Sequence, residues 1–309
     1  MNQETGSAQG TVTVPADVPE EQAGIFTEHF NQATNGTGRL MLFAGDQKVE
    51  HLNADFSGPG ISPDDATPLH LFQIAAKARI GVFATQLGLI TRYGKAHPGI
   101  PYLVKLNAKT NLVPFQQKDP LSCAWNTVEE VVAFKQATNL RIMGVGYTVY
   151  PGSDYEAEML REAAGIVHQA HLHGLIAVLW VYPKGKAVSD EHDPALIAGA
   201  AGLAACLGAD FVKLKVPYRN KQFDPQLLAE VVAAAGNTGV LCEGGKKEDA
   251  PNFLAQLYAQ IQEGGCRGSG TGRNIHQRGL KEAIAMANAI HAVTVENKAV
   301  ADALTLLEH

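Results

Sequence analysis

The chain has 309 residues, 46% of them hydrophobic and 18% charged, a balance that suits one large α/β domain with a sizeable core. Its net charge of −6, with no acidic or basic block, argues against nucleic acid or an anionic membrane as a partner. The longest apolar run, Ala195–Ala209, is Ala/Gly-rich and falls short of the ~20 residues needed to span a bilayer.

Residues 1–36 are polar, contain Pro15 and Pro19, and leave through Asn35-Gly36-Thr37-Gly38. They predict an arm with one short amphipathic helix around Glu20–Gln32. No basic segment followed by an apolar core opens the chain, so no signal peptide is expected. Cys123, Cys206, Cys242 and Cys266 are far apart, form no CxxC pair, and read as reduced core residues, which fits the cytoplasm.

From residue 37 to 295, short apolar runs alternate with stretches of helical period. The runs are Arg39–Asp46, Gly81–Gln86, Tyr102–Asn107, Arg141–Thr148, Leu175–Pro183, Phe211–Pro217, Thr238–Gly245 and Gly265–Arg273. Between them lie amphipathic segments, among them Thr127–Ala137, Ser153–His173, Asp193–Leu207, Pro225–Ala235 and Asp249–Glu263. Thr127-x-x-Glu130 and Ser153-x-x-Glu156 have capping-box spacing. Such alternation implies a parallel sheet with helices outside it. Eight regular units fit a closed (β/α)8 TIM barrel better than a doubly wound open sheet. Residues 296–309 read as a C-terminal helix or tail, and the final Leu307-Glu308-His309 as tag-derived.

Barrel chemistry sits at the C-terminal strand ends, with phosphate commonly held after strands seven and eight. The unusual polar residues of this chain cluster at those ends. In the sixth run, Phe211-Val212-Lys213-Leu214-Lys215, alternation puts Lys213 and Lys215 on one face and the aliphatic residues on the other. If the aliphatic face packs on helices, both lysines point inward, where an unpaired ammonium is costly and a neighbouring cation favours the free amine. Free amine attacks ketones. The alternative is that both lysines only pair with inward acids or with phosphate.

In the fifth run Trp180 and Tyr182 share a face, as a wall and a proton shuttle or as two filling aromatics. Lys184 follows at the mouth. In the first run Asp46 either moves protons or caps the next turn. Glu50-His51 has no metal-site spacing around it, and His171 and His173 read as surface residues of a helix. Strand three ends Lys105-Leu106-Asn107, an unspecific candidate for the mouth. The last two strands end in Glu243-Gly244-Gly245 and Gly270-Thr271-Gly272-Arg273. Side-chain-free backbone there lets amides approach a phosphate, and Arg273 adds a bidentate contact.

Taken together, GDQKVEH at 45–51, LVKLNAKTNL at 103–112, VGYTVYPGS at 145–153, LWVYPKG at 179–185, GADFVKLK at 208–215, EGG at 243–245 and GTGRNIHQR at 270–278 resemble the archaeal-type class I fructose-1,6-bisphosphate aldolase family. The resemblance runs from about Leu40 to Ala287. It implies Lys213 as the Schiff-base lysine, Tyr182 as acid/base and Asp46 as the strand-one carboxylate. It further implies Trp180 beside them, and Gly244, Gly245, Gly272 and Arg273 around phosphate. Lys184 and Lys215 are expected to help bind substrate. Three positions depart from the family pattern. Asp46-Gln47-Lys48 replaces Asp-His-Gly, Glu243 stands where a small hydroxylic residue is usual, and Val216-Pro217-Tyr218 replaces Tyr-Thr-Gly. Glu243 is expected to turn away from the phosphate and pair with Lys184, Lys246 or Lys215.

The resemblance implies reversible cleavage of fructose 1,6-bisphosphate to dihydroxyacetone phosphate and glyceraldehyde 3-phosphate, without metal or organic cofactor, by a cytoplasmic homo-oligomer of glycolysis and gluconeogenesis. Kept beside it are a Schiff-base lyase or transferase acting on another phosphorylated ketose, a sugar-phosphate-binding regulator without turnover, and a metal-dependent aldolase.

Overall fold

The structure, a computed structural model, describes residues 12–112 and 119–308. Residues 1–11 of the expected arm, and His309 of the expected tag, lie outside the described residues. The chain opens with α1 (Glu20–Thr34), β1 (Leu40–Ala44), α2 (Gln47–Glu50), α3 (Pro68–Lys77), β2 (Val82–Gln86), α4 (Leu87–Tyr93) and β3 (Tyr102–Lys105). It continues through α5 (Val128–Thr138), β4 (Ile142–Val149), α6 (Glu156–Leu172), β5 (Ile176–Val181), α7 (Pro194–Cys206), β6 (Phe211–Leu214) and α8 (Leu227–Ala235). The last elements are β7 (Gly239–Glu243), α9 (Ala250–Gln262), β8 (Gly268–Thr271), α10 (Arg273–His276), α11 (Leu280–Thr294) and α12 (Val300–Leu304).

All eight strands pair in parallel and in order, and β8 closes on β1 through Leu40↔Gly268 to Phe43↔Thr271. The (β/α)8 TIM barrel is therefore observed. Most strands are shorter than their apolar runs by a few residues at one or both ends, whereas β4 runs one residue past its run, to Val149. Local chemistry explains several helix starts. Thr127 and Glu130 form the expected capping box, and Asp193 and Asp249 accept amides at the starts of α7 and α9. Ser153 departs from expectation. Its Oγ donates to the Pro120 carbonyl at 2.7 Å, Glu156 turns back to the Gly152 amide, and α6 starts later, after Tyr155.

Strand alternation divides the core in two. Met41, Phe43, Val212, Leu214, Val240 and Cys242 face the helices. Leu40, Leu42, Val178, Trp180, Phe211 and Leu241 fill the barrel. The predicted N-terminal helix, α1, plugs the bottom of that interior: Phe26 and Phe30 are buried, and Phe30 stacks on Phe211 at 5.5 Å. The site is thereby left to the opposite, C-terminal end.

His171 corrects an expectation, because it is buried rather than on the surface. It lies between Asp17 Oδ1 at 2.7 Å and Asp210 Oδ2 at 3.3 Å, and so ties the segment before α1 to the start of β6. Burial depresses its pKa, but the hydrogen bonds and charges of Asp210 and Asp17 outweigh burial and raise it above the ordinary value. A raised folded-state pKa gives stability that is fully present below the unfolded value and lost as pH rises through the folded one. His171→Gln should therefore cost ~1.5–3 kcal/mol in acid, the range for hydrogen bonds to charged groups. The gap to the parent should shrink as pH rises past neutrality. Urea melts across pH check this; a constant gap would mean the ring acts by packing alone.

Candidate active site

The inward positions at the C-terminal rim are polar where the layers below are apolar. A cavity opens there, lined by Asp46, Gln47, Glu50, His51, Trp180, Tyr182, Lys213, Glu243, Gly244, Gly245, Gly270, Gly272 and Arg273. Three strand lysines come near this rim, and their partners differ. Lys105, at the end of β3, is buried, and its Nζ donates to Asn107 O at 2.8 Å, Asn107 Oδ1 at 3.1 Å and Thr148 Oγ1 at 2.7 Å. Lys215 lies past the end of β6 and pairs with Glu191, outside the cavity. Lys213 is 4% exposed, and among the described residues its Nζ has no hydrogen-bond or ion-pair partner.

The expected Lys213–Lys215 pair of cations is thus corrected. β6 stops at Leu214, short of Pro217, so the chain leaves strand geometry and Lys215 swings to the acid after β5. The cation that does share the interior with Lys213 is Lys105. Their amines lie 5.5 and 5.0 Å from the Trp180 ring, which stands between them and the apolar core. Burial lowers the Lys105 pKa, Asp46 and Glu50 raise it, and the Lys213 charge lowers it again.

Space for these large groups comes from opposing glycines. A Cβ on Gly270 would fall 2.6 Å from Lys213 Cε and 2.7 Å from its Cδ. A Cβ on Gly146 would strike the Trp180 ring at 2.5 Å. Gly245 is held at φ +62°, where glycine is favoured, and lets the chain turn over the rim.

Asp46 is 4% exposed and occupies the N-cap position of α2 without capping it. Its Oδ1 is buried with no partner among the described residues, which frees the carboxylate for the cavity. Burial, and then the charges of Glu243, Asp46 and Glu50, push the Tyr182 phenol well above its usual pKa. The phenol is therefore neutral and a proton donor at rest.

Glu50 was legible only as half of an unsupported metal pair, yet it faces the cavity. Burial raises its carboxyl above the usual range, with Lys105 opposing and Asp46 adding to the shift. Its neighbour His51 is held by Asp55 at 2.7 Å. Among the described residues no cluster of three or more His, Cys, Asp or Glu is arranged to hold a metal.

Of the expected phosphate groups, Gly244 spends its N–H on the Gly270 carbonyl at 3.2 Å, within the sheet. Gly245, Gly272 and Arg273 line the cavity, with Arg273 Nη1 3.4 Å from Asp55 Oδ2. Lys184 is half exposed, 4.0 Å from Glu191, and does not reach the cavity. Glu243 also corrects an expectation. It does not pair with Lys184, Lys215 or Lys246 but lines the cavity beside Tyr182, because Lys215 is already taken by Glu191.

Comparison with known proteins bears on this geometry. The family model for DeoC/LacD family aldolases matches residues 40–278, almost the whole barrel. The chain belongs to the DeoC/LacD aldolase family. It is 54% identical, over 96% of its own length and 94% of the other's, to a Methanocaldococcus jannaschii protein named fructose-bisphosphate aldolase/6-deoxy-5-ketofructose 1-phosphate synthase. It is similar in structure to a fructose-bisphosphate aldolase from Slackia heliotrinireducens, with a TM-score of 0.93 at 51% identity, covering 96% of this chain and 94% of that one. It is also similar to an archaeal fructose-1,6-bisphosphate aldolase whose catalytic lysine carries the carbinolamine intermediate of its substrate, with a TM-score of 0.74 at 34% identity, covering 87% of this chain and 99% of that one. The archaeal-type resemblance read from the motifs is borne out, and this aldolase is a Schiff-base-forming, class I lyase.

The glycine opposite Lys213 gives a test that separates fold from chemistry. Gly270→Ala should leave the melting temperature within a few degrees, because a flexible stem can move aside. It should lower turnover by about 10²-fold, the effect of displacing a reacting group by ~1 Å. Circular dichroism and an aldol-cleavage assay check this; full activity would mean that Lys213 Nζ is not held in a set place.

Proposed function

We propose that this aldolase cleaves fructose 1,6-bisphosphate reversibly to dihydroxyacetone phosphate and glyceraldehyde 3-phosphate, with Lys213 as the imine-forming residue. The observation that carries the reading is the isolation of Lys213. Of Lys105, Lys213 and Lys215 it is the one without a protein partner among the described residues, and it lines a cavity with Tyr182, Asp46 and a glycine-rich loop. A hydrogen-bonded ammonium such as Lys105 gives up bonds when it becomes a nucleophile, whereas Lys213 gives up none.

The amine of Lys213 adds to the ketone, Asp46 assists the proton transfers that release water, and a protonated imine results. That cation draws electrons from the C3–C4 bond, which breaks to an enamine and an aldehyde. Tyr182 takes the hydroxyl proton on C4 and later helps return a proton to the enamine carbon. Trp180 keeps water from one side of the imine. Gly245, Gly272 and Arg273 hold the ketone-side phosphate, with Gly244 shaping the turn, and so orient the substrate. Lys184 and Lys215 lie outside this cavity, so we assign them no direct contact.

This reaction has a place in both glycolysis and gluconeogenesis. All four cysteines are free thiols, which fits a reducing compartment such as the cytoplasm, but only Cys242 and Cys266 are the expected core residues, since Cys123 and Cys206 are exposed. A homo-oligomer is proposed on the family resemblance alone. No helix among the described residues is long and apolar enough to cross a membrane.

The test is a coupled assay for both triose phosphates from fructose 1,6-bisphosphate, run with and without EDTA. Turnover should be unaffected by the chelator. Arg273→Ala should weaken phosphorylated ketose by ~1.5–3 kcal/mol and leave unphosphorylated ketose nearly unchanged. Failure to release triose phosphates, with turnover of another phosphorylated ketose, would move the substrate while keeping the chemistry. Equal losses for both kinds of ketose would make Arg273 a support of the rim through Asp55.

A further inference from the structure

The assignment of Tyr182 as a base leaves a chemical gap. A neutral phenol can take a proton from the C4 hydroxyl only if it passes its own proton on, since a doubly protonated phenol is far too acidic to persist. An acceptor must therefore stand behind or beside Tyr182.

Three observations converge on one residue. Inward alternation along β7 runs from Leu241, inside the barrel, to Glu243 at the rim. Glu243 lines the same cavity as Tyr182 and Lys213, and among nearby charges it acts most strongly on the phenol. Its carboxylate is also uncommitted: among the described residues it makes no ion pair and no side-chain hydrogen bond. The register Leu214↔Cys242 brings Lys215 alongside Glu243, but Lys215 is bonded to Glu191 instead. Glu243 is only partly buried, at the rim where β7 ends, and a carboxylate with no structural partner is free to receive a proton.

We propose that Glu243 accepts the phenolic proton of Tyr182 while Tyr182 takes the C4 hydroxyl proton of the substrate. Resting on the function proposed above, this deepens it by one residue. The step balances. The O–H bond of the substrate breaks as that of Tyr182 re-forms, the old phenolic proton moves to the Glu243 carboxylate, and the C3–C4 electron pair moves into the imine to make the enamine. Protonation of the enamine carbon runs the same relay backwards, from Glu243 through Tyr182. Glu243 touches no reacting atom itself and acts through Tyr182. A carboxylate at the end of β7 thereby serves proton transfer rather than phosphate binding.

The experiment uses Glu243→Gln and Glu243→Asp in the full-length protein and two readouts. One is cleavage of fructose 1,6-bisphosphate; the other is exchange of the C3 proton of dihydroxyacetone phosphate into deuterated water, followed by NMR. The exchange needs imine and enamine but no aldehyde. For Glu243→Gln both rates should fall by about 10²–10⁴-fold, the span of general acid–base catalysis. KM should change little, and borohydride with dihydroxyacetone phosphate should still label Lys213. Glu243→Asp should recover a large part of the exchange rate. Exchange at parental rate in Glu243→Gln overturns the relay, as does a tighter KM for the bisphosphate with unchanged kcat, which would make Glu243 a tuner of anion binding. Loss of the Lys213 label overturns it too, because Glu243 would then support imine formation. A parent that exchanges but does not cleave the bisphosphate defeats the substrate assignment alone, and the exchange arm still decides the relay.

Discussion

Putting an amine inside a packed barrel is the constraint on which this site depends. A packed interior leaves little room for water, so an inward charge is best satisfied by a protein partner or by a ligand. Lys105 solves the problem with three hydrogen bonds, and Lys215 solves it by leaving the interior for Glu191. Lys213 is left between an indole face and a glycine, with no oxygen to bond among the described residues. The same logic sorts the acids. Asp210 is consumed by His171 and the Ala177 amide, whereas Asp46, Glu50 and Glu243 face the cavity.

The fold places these groups with little slack. α1 plugs the bottom of the barrel, and among the described residues the polar inward positions lie at the top. Gly146 and Gly270 make room for Trp180 and for the stem of Lys213, and Gly272 is packed so closely that a Cβ would strike the Gln47 amide. A strap from Asp55 to Arg273 and from Asp65 to His276 joins the segment after β1 to the one after β8. The glycine-rich loop after β8 and the strand-one carboxylate therefore belong to one connected rim.

Much of this was legible in the chain. Short apolar runs separated by helical stretches carried all eight strands, and alternation within Phe211–Lys213 and Trp180–Tyr182 carried the inward set. What failed were statements about where a strand ends and what a side chain meets across the fold. Lys215 was paired with Lys213 because alternation was extended past Leu214, where the strand stops. Glu243 was given a cation that a residue 24 positions from Lys215 in sequence, Glu191, had already taken. His171 looked exposed because the two acids that bury its charge, Asp17 and Asp210, are distant in sequence. Lys105 was visible only as an unspecific candidate for the mouth, and its role as the bonded counterpart of Lys213 needed Thr148 and Asn107 in place.

The central claim is that hydrogen bonding, rather than position alone, decides which lysine forms the imine. It is tested most directly by incubating the aldolase with dihydroxyacetone phosphate and borohydride, then mapping the reduced adduct by peptide mass spectrometry. The account predicts one ligand mass on Lys213 and none on Lys105 or Lys215. An adduct on Lys105 or Lys215, with Lys213 unmodified, would contradict it.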